Sequence, residues 1–142
     1  MQQQTKKRKA LQESLLRVDS NPANDALRGN YCPACKLTFF PSRVNCAKCC
    51  ALLTKEAILP STGKVASFTT IHRKPPNSVI EAPYTVGEID IGKGINVISI
   101  IRADPKEIKI GMKVELLFEK LREDSEGNDL VVYAYKPAKK QP

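Results

Sequence analysis

Two cysteine pairs dictate most of what this chain can become. Cys32-Pro-Ala-Cys35 is followed, after ten residues, by Cys46-Ala-Lys-Cys49. A pair separated by two residues can aim both sulfurs at one ion about 2.3 Å away. Two such pairs on facing hairpins complete a tetrahedron, so the spacing predicts a zinc ribbon with ligands Cys32, Cys35, Cys46 and Cys49. Cys50 would break the two-residue gap to Cys46 and reads as a spare thiol. A redox pair belongs beside a βαβ pattern, and none is visible. Disulfides belong to secreted chains, and Met1 to Lys9 is polar and basic, without the apolar stretch of a secretory signal. Four thiolates close the coordination shell and leave no position for water. One structural zinc per chain is therefore expected, folding the segment rather than doing chemistry.

The charge is unevenly placed. The chain has 142 residues and a net charge of +8. Residues 1–31 and 32–49 each carry +3, the tail from Lys136 carries +3, and residues 63–135 carry ten bases against eleven acids. The basic character lies in the arm, the ribbon and the tail, while the larger domain is nearly neutral. No apolar run approaches the length of a membrane span, and cysteines in metal spacing suit a reducing cytoplasm.

Four segments are expected along the chain. Residues 1–29 read as a basic arm and two short helices: Ala10 to Val18, with Leu11, Leu15 and Val18 on one face, and Pro22 to Arg28, with Ser20-Asn21 as the cap and Gly29 as the stop. Residues 30–62 form the ribbon, with a strand over Lys36 to Phe40. Residues 63–136 change to period two. Strands are expected at 64–72, 84–91, 95–102, 113–121 and 130–136, with a capped helical turn at Asp104-Pro105-Lys106-Glu107. On the first strand Val65, Ser67, Thr69 and Ile71 share a face. Residues 137–142 are a basic tail. The fold class is mainly β: short N-terminal helices, a zinc ribbon and a five-stranded Greek-key barrel of the OB type, with an SH3-like or meander barrel as the alternative.

Catalytic patterns are missing. The lone histidine, His72, has no triad partners and reads as a surface residue. No P-loop, G-x-S-x-G or dinucleotide fingerprint occurs. Nucleic-acid binding is one reading of a ribbon joined to an OB-like barrel. Barrels that bind single strands need a basic groove with aromatic platforms, and this barrel is net −1 and contains no Trp. Nucleic acid is therefore the alternative reading.

The favoured reading comes from a resemblance. Leu27-Arg28-Gly29, the two knuckles, Phe39-Phe40-Pro41-x-Arg43, Gly63 to Thr69, Glu81-Ala82-Pro83-Tyr84-Thr85-Val86-Gly87 and Ile110-Gly111-Met112-Lys113-Val114-Glu115 occur in order. Together they resemble the acyl-CoA-associated proteins with a rubredoxin-like zinc ribbon and an OB fold, over residues 22–137. Family ribbons often place Gly after each knuckle, where this chain has Lys36 and Cys50. The resemblance implies a non-catalytic accessory subunit of a thiolase-like enzyme that helps bind or shape its CoA or acyl-CoA site, as in the small subunit of a benzoylsuccinyl-CoA thiolase. On that reading Arg43, Lys48, Arg73 and Lys74 are candidates for CoA phosphates, and Phe39 or Phe40 for covering adenine or pantetheine.

Overall fold

The computed structural model describes residues 7–138. Residues 1–6 of the expected arm and 139–142 of the expected tail lie outside the described residues. The regular structure of the described residues is almost entirely β, and the chain gathers into two compact units: one runs to Leu59 and adds Phe118–Tyr133, the other takes Pro60–Leu117 and the chain from Ala134.

The first unit is built on one strand. Its elements are β1 (Arg8–Ala10), β2 (Leu16–Arg17), a single 3-10 turn (Pro22–Asn24), β3 (Ala26–Cys32), β4 (Leu37–Phe39) and β5 (Lys55–Ile58). β3 pairs antiparallel with all of its neighbours: β2 at Leu16↔Leu27, β4 at Asn30↔Phe39 and Cys32↔Leu37, and β5 at Arg28↔Ile58 through Tyr31↔Lys55. Leu16 and Leu27 are buried at this seam. Gly29 is required there. A Cβ at that position would meet the Phe39 carbonyl oxygen at 2.2 Å, so only glycine lets β3 and β4 approach.

Neither expected N-terminal helix forms. The stretch 10–18 instead makes β1, a turn and β2, and Leu11 of the supposed apolar stripe is exposed while Leu16, off that stripe, is buried. A helix that short pays its nucleation cost for few bonds. Strand pairing satisfies the same backbone, because β1 joins a strand at residues 129–131 in parallel and Leu11 N–H continues the ladder to the Val131 carbonyl at 3.0 Å. The second expected helix stops after one turn. Asn21 caps it through Ala23 N–H at 3.1 Å, with Pro22 at the first position, and then Asp25 turns extended. The Arg8 guanidinium holds Asp25 at 2.7 and 3.1 Å and the Asp19 carbonyl at 2.7 Å. Arg8→Ala leaves a nearly buried carboxylate without its fork and is expected to cost about 2 kcal/mol, readable as a lowered denaturation midpoint that Asp25→Asn in the same chain partly restores.

The barrel strands are β6 (Thr62–Ile71), β7 (Tyr84–Asp90), β8 (Asn96–Ile101), β9 (Lys113–Glu123) and β10 (Asp129–Pro137). The hydrogen-bonded order is β10-β8-β7-β6-β9, and β9 pairs back on β10, so five strands close. β10 meets β8 in parallel at Tyr135↔Ile101 while β7 and β9 run antiparallel to β6. A plain meander has no parallel neighbours, so that alternative is excluded. Val65, Ile89, Val97, Ile101, Val114, Ala134 and Tyr135 fill the interior. A β-bulge between Val65 and Ser67 changes the expected faces of β6. Past the bulge Phe68 and Thr70 pair with buried Gly87 and Thr85, so Ser67 and Thr69 turn outward although Val65 points in. Pure alternation does not anticipate the extra residue. The expected capped turn forms at Asp104 and does not continue as a helix: the Asp104 carboxylate accepts from Lys106 N–H at 3.0 Å, its carbonyl from Glu107 N–H at 2.9 Å, and Ile108 then enters the core.

The β9–β10 turn belongs to the first unit. The Asp124 carboxylate accepts from Asn128 N–H at 2.8 Å, Asn128 Nδ2 at 3.1 Å and Glu126 N–H at 2.9 Å. These bonds, led by the Asn128 side chain, hold the Asp124 carboxyl below its ordinary 3.8. A carboxyl lowered by the fold stabilises it fully above the unfolded value and loses that effect as pH falls through the depressed one. Protection of the Asn128 amide, measured relative to its intrinsic exchange rate, is therefore expected to fall as pH drops below 3.8, and Asp124→Ala to abolish that dependence.

Candidate metal centre

β3 ends at Cys32 and delivers it, buried, to one side of a tight turn that carries Cys35. The second knuckle is a narrow hairpin. Asn45 bridges Leu52, Leu53 N–H reaches the Val44 carbonyl at 2.9 Å, and Cys46 N–H reaches the Ala51 carbonyl at 2.9 Å. The two knuckles are tied by Asn30, a buried amide in the middle of β3. Its Nδ2 donates to the Arg43 carbonyl, and its Oδ1 accepts from Arg43 N–H at 3.2 Å. Sequence reasoning missed Asn30. The available signal was an amide inside a strand where burial demands a partner.

The four sulfurs of Cys32, Cys35, Cys46 and Cys49 lie within 4.8 Å of one another, and Cys32 and Cys49 are 3.6 Å apart. A tetrahedral shell with bonds of about 2.3 Å requires sulfurs about 3.8 Å apart, so this donor set fits a metal ion. The sulfurs titrate unequally without one. Hydrogen bonding from Cys49 N–H, opposed by burial and helped by Lys48 N–H at 3.4 Å, lowers Cys46 to about 6. A thiol hydrogen bond with Cys49, then burial, raises Cys35 to about 12. A dication must displace those protons, so metal retention is expected to fall as pH falls.

Cys50 stands outside the cluster, exposed, with φ +62°, and Lys36 after the first knuckle has φ +55°. Both are left-handed positions that favour glycine. They are also the two positions where the resembling family often carries Gly. Cys50→Gly is expected to raise stability by about 1 kcal/mol with metal content unchanged, as read by thermal denaturation and elemental analysis.

The other predicted site residues divide between the two units. Phe39, Phe40, Arg43 and Lys48 belong to the first. The Arg43 guanidinium sits 5.8 Å from the Phe39 ring centre, a cation–π arrangement. Phe40 packs edge-to-face on Tyr133, with centroids 6.3 Å apart. Lys48 is exposed on the second knuckle. Arg73 and Lys74 belong to the second unit, in the loop after β6, where Lys74 pairs with Glu81. His72 is exposed beside them. Among the described residues no helix is long and apolar enough to cross a membrane.

Comparison with known proteins bears on this architecture directly. Residues 58–119 match the family described as ChsH2, C-terminal OB-fold domain. A DUF35 domain-containing scaffold protein of Methanocaldococcus jannaschii is 33% identical over 112 residues, covering 78% of this chain and 79% of that one. Its counterpart in Methanothermobacter thermautotrophicus is 32% identical over 117 residues, covering 81% and 87%. Among solved structures, the Ltp2-ChsH2(DUF35) aldolase superposes with a TM-score of 0.66 at 27% identity, covering 79% of this chain and 84% of that one. At 33% identity to a scaffold protein over 78% of its own length, this chain belongs to the DUF35 domain-containing scaffold protein family.

Proposed function

We propose that this chain is a non-catalytic accessory subunit of a thiolase-superfamily enzyme acting on acyl-CoA, with zinc as the structural metal of its ribbon. The observation that carries the reading is the closed set of four thiolate donors in a chain whose relatives are scaffold proteins. Four sulfurs fill a tetrahedral shell, so zinc stiffens a surface and activates no water. The solved neighbour is a complex with an aldolase, which supports an enzyme as the partner. The ribbon over 30–62 presents that surface, the domain over 63–136 is of the OB type, and the complex works in the cytoplasm.

The proposed contacts with CoA follow its chemistry. Arg43, Lys48, Arg73 and Lys74 take phosphates, and Phe39 or Phe40 covers adenine or pantetheine. Phe40 already packs on Tyr133 and Lys74 on Glu81, so Phe39, Arg43 and Lys48, all in the first unit, make the first contacts. The test is native mass spectrometry of the tagged chain drawn from its own cells after nuclease treatment. A nuclease-resistant complex with a thiolase-sized subunit and one zinc per chain is expected. Release by nuclease would replace this reading with a nucleic-acid-binding module.

A further inference from the structure

One end of the barrel carries a charge arrangement that the accessory role leaves unexplained. Asp90, Lys64 and Lys113 form a row across three adjacent strands, with Lys64 paired to Asp90 on β7 and to Lys113 on β9. Register partners in an antiparallel ladder have Cα atoms about 5 Å apart and side chains on one face. Two ammonium groups are thus directly opposed, an arrangement that weakens a sheet.

Each nearby carboxylate already has another partner. Asp90 Oδ1 accepts from Gly92 N–H at 2.9 Å, capping the turn after β7. Glu115, one row along β9 from Lys113, pairs with Lys136 at 3.4 Å. Among the described residues neither Lys64 nor Lys113 forms an ion pair. Both lysines line one open cleft of about 480 Å³, walled also by Asp90, Thr62, Gly63, Gly92 and Ala138. Thr62 adds a hydroxyl donor to the two ammonium groups.

We propose that Lys64 and Lys113 form a binding site for a phosphate or pyrophosphate group. An anion between them converts the opposition into two charge-assisted contacts. Lysine suits this task as a compact charge with rotatable donors on a flexible stem. The site shares no residue with the proposed CoA contacts and holds whether or not the enzyme partner is a thiolase.

The test uses the full-length, metal-loaded protein. Amide NMR spectra are followed during titration with inorganic pyrophosphate at constant ionic strength, and in parallel with inorganic phosphate and with succinate. Saturable shifts at Gly63, Gly92, Lys113 and Ala138 are expected with the phosphates. Lys64→Gln and Lys113→Gln should each weaken binding by about tenfold, and Lys113→Gln should unfold at the same temperature as the parent or higher, because it removes the like-charge opposition without touching the Lys64–Asp90 pair. Shifts that persist in the double variant would overturn the site. Binding of succinate as tight as that of pyrophosphate would overturn its assignment to phosphate.

Discussion

Cys32→Ser is expected to empty the metal site and unfold the segment from β3 to β5. Cys32 is almost fully buried, at 1% exposure, and closes the strand on which β2, β4 and β5 pair. Structural zinc contributes folding energy directly, on the order of 10 kcal/mol in isolated zinc-finger peptides. The knuckles have little apolar core to offset its loss: among residues 33–54 only Cys46 is buried. On the proposed function, elemental analysis should fall from one zinc per chain to none, near-ultraviolet dichroism of the ribbon should collapse, and capture of the enzyme partner should be lost. Cys49→Ser, at an exposed ligand, should lose the metal with less damage to packing. Cys50→Ser should keep it. A Cys32→Ser chain that retained both metal and complex would remove Cys32 from the ligand set.

Gly29→Ala is the second large effect. The added carbon would arrive 2.2 Å from the Phe39 carbonyl oxygen and 3.2 Å from its carbonyl carbon. Both are backbone atoms of the paired strand, so no rotamer change relieves the contact, and β4 must move off β3. Overpacking of this kind costs about 3 kcal/mol. The displacement matters beyond stability because β4 begins immediately beyond Lys36, at the first knuckle, and includes Phe39, which holds Arg43. A lowered denaturation midpoint should therefore be accompanied by faster loss of zinc to a chelator. An alanine variant of parental stability would mean that β3 and β4 tolerate a wider spacing than the structure has.

The ribbon was legible because its information is local. Two C-x-x-C pairs predict one cluster without reference to anything else, and the four sulfurs come together as the spacing requires. The barrel strands were legible for a similar reason, since period-two alternation marks residues that face a core. What failed was settled by distant partners. Leu11, Leu15 and Val18 fit a helical stripe as well as any short run, but the backbone from Arg8 to Leu11 pairs with residues 129–131, more than a hundred positions away. Pro22 and its Asn21 cap gave the start of a turn correctly, and the Asp25 contact with Arg8 ended it. The bulge at Ser67 and the parallel meeting of Tyr135 with Ile101 are likewise set by neighbouring strands. Lys36 and Cys50 show a subtler limit. Their left-handed backbone is dictated by the knuckle, and the residues that occupy those positions do not advertise it.

The division of the chain has a consequence for its birth on the ribosome. The first unit claims residues up to Leu59 and then Phe118–Tyr133, and the second claims Pro60–Leu117 and the chain from Ala134. The boundary falls inside β9 and inside β10. The metal knuckles emerge early and can bind their ion while synthesis continues, but β1 has no strand to join until residues 129–131 are made. A nascent chain released before that point carries a loaded ribbon with unpaired strand edges, the state most open to wrong association. Neither unit can be liberated by a single proteolytic cut, and neither can be inherited by simple fusion of one continuous segment. For this chain the smallest portable piece is nearly the whole.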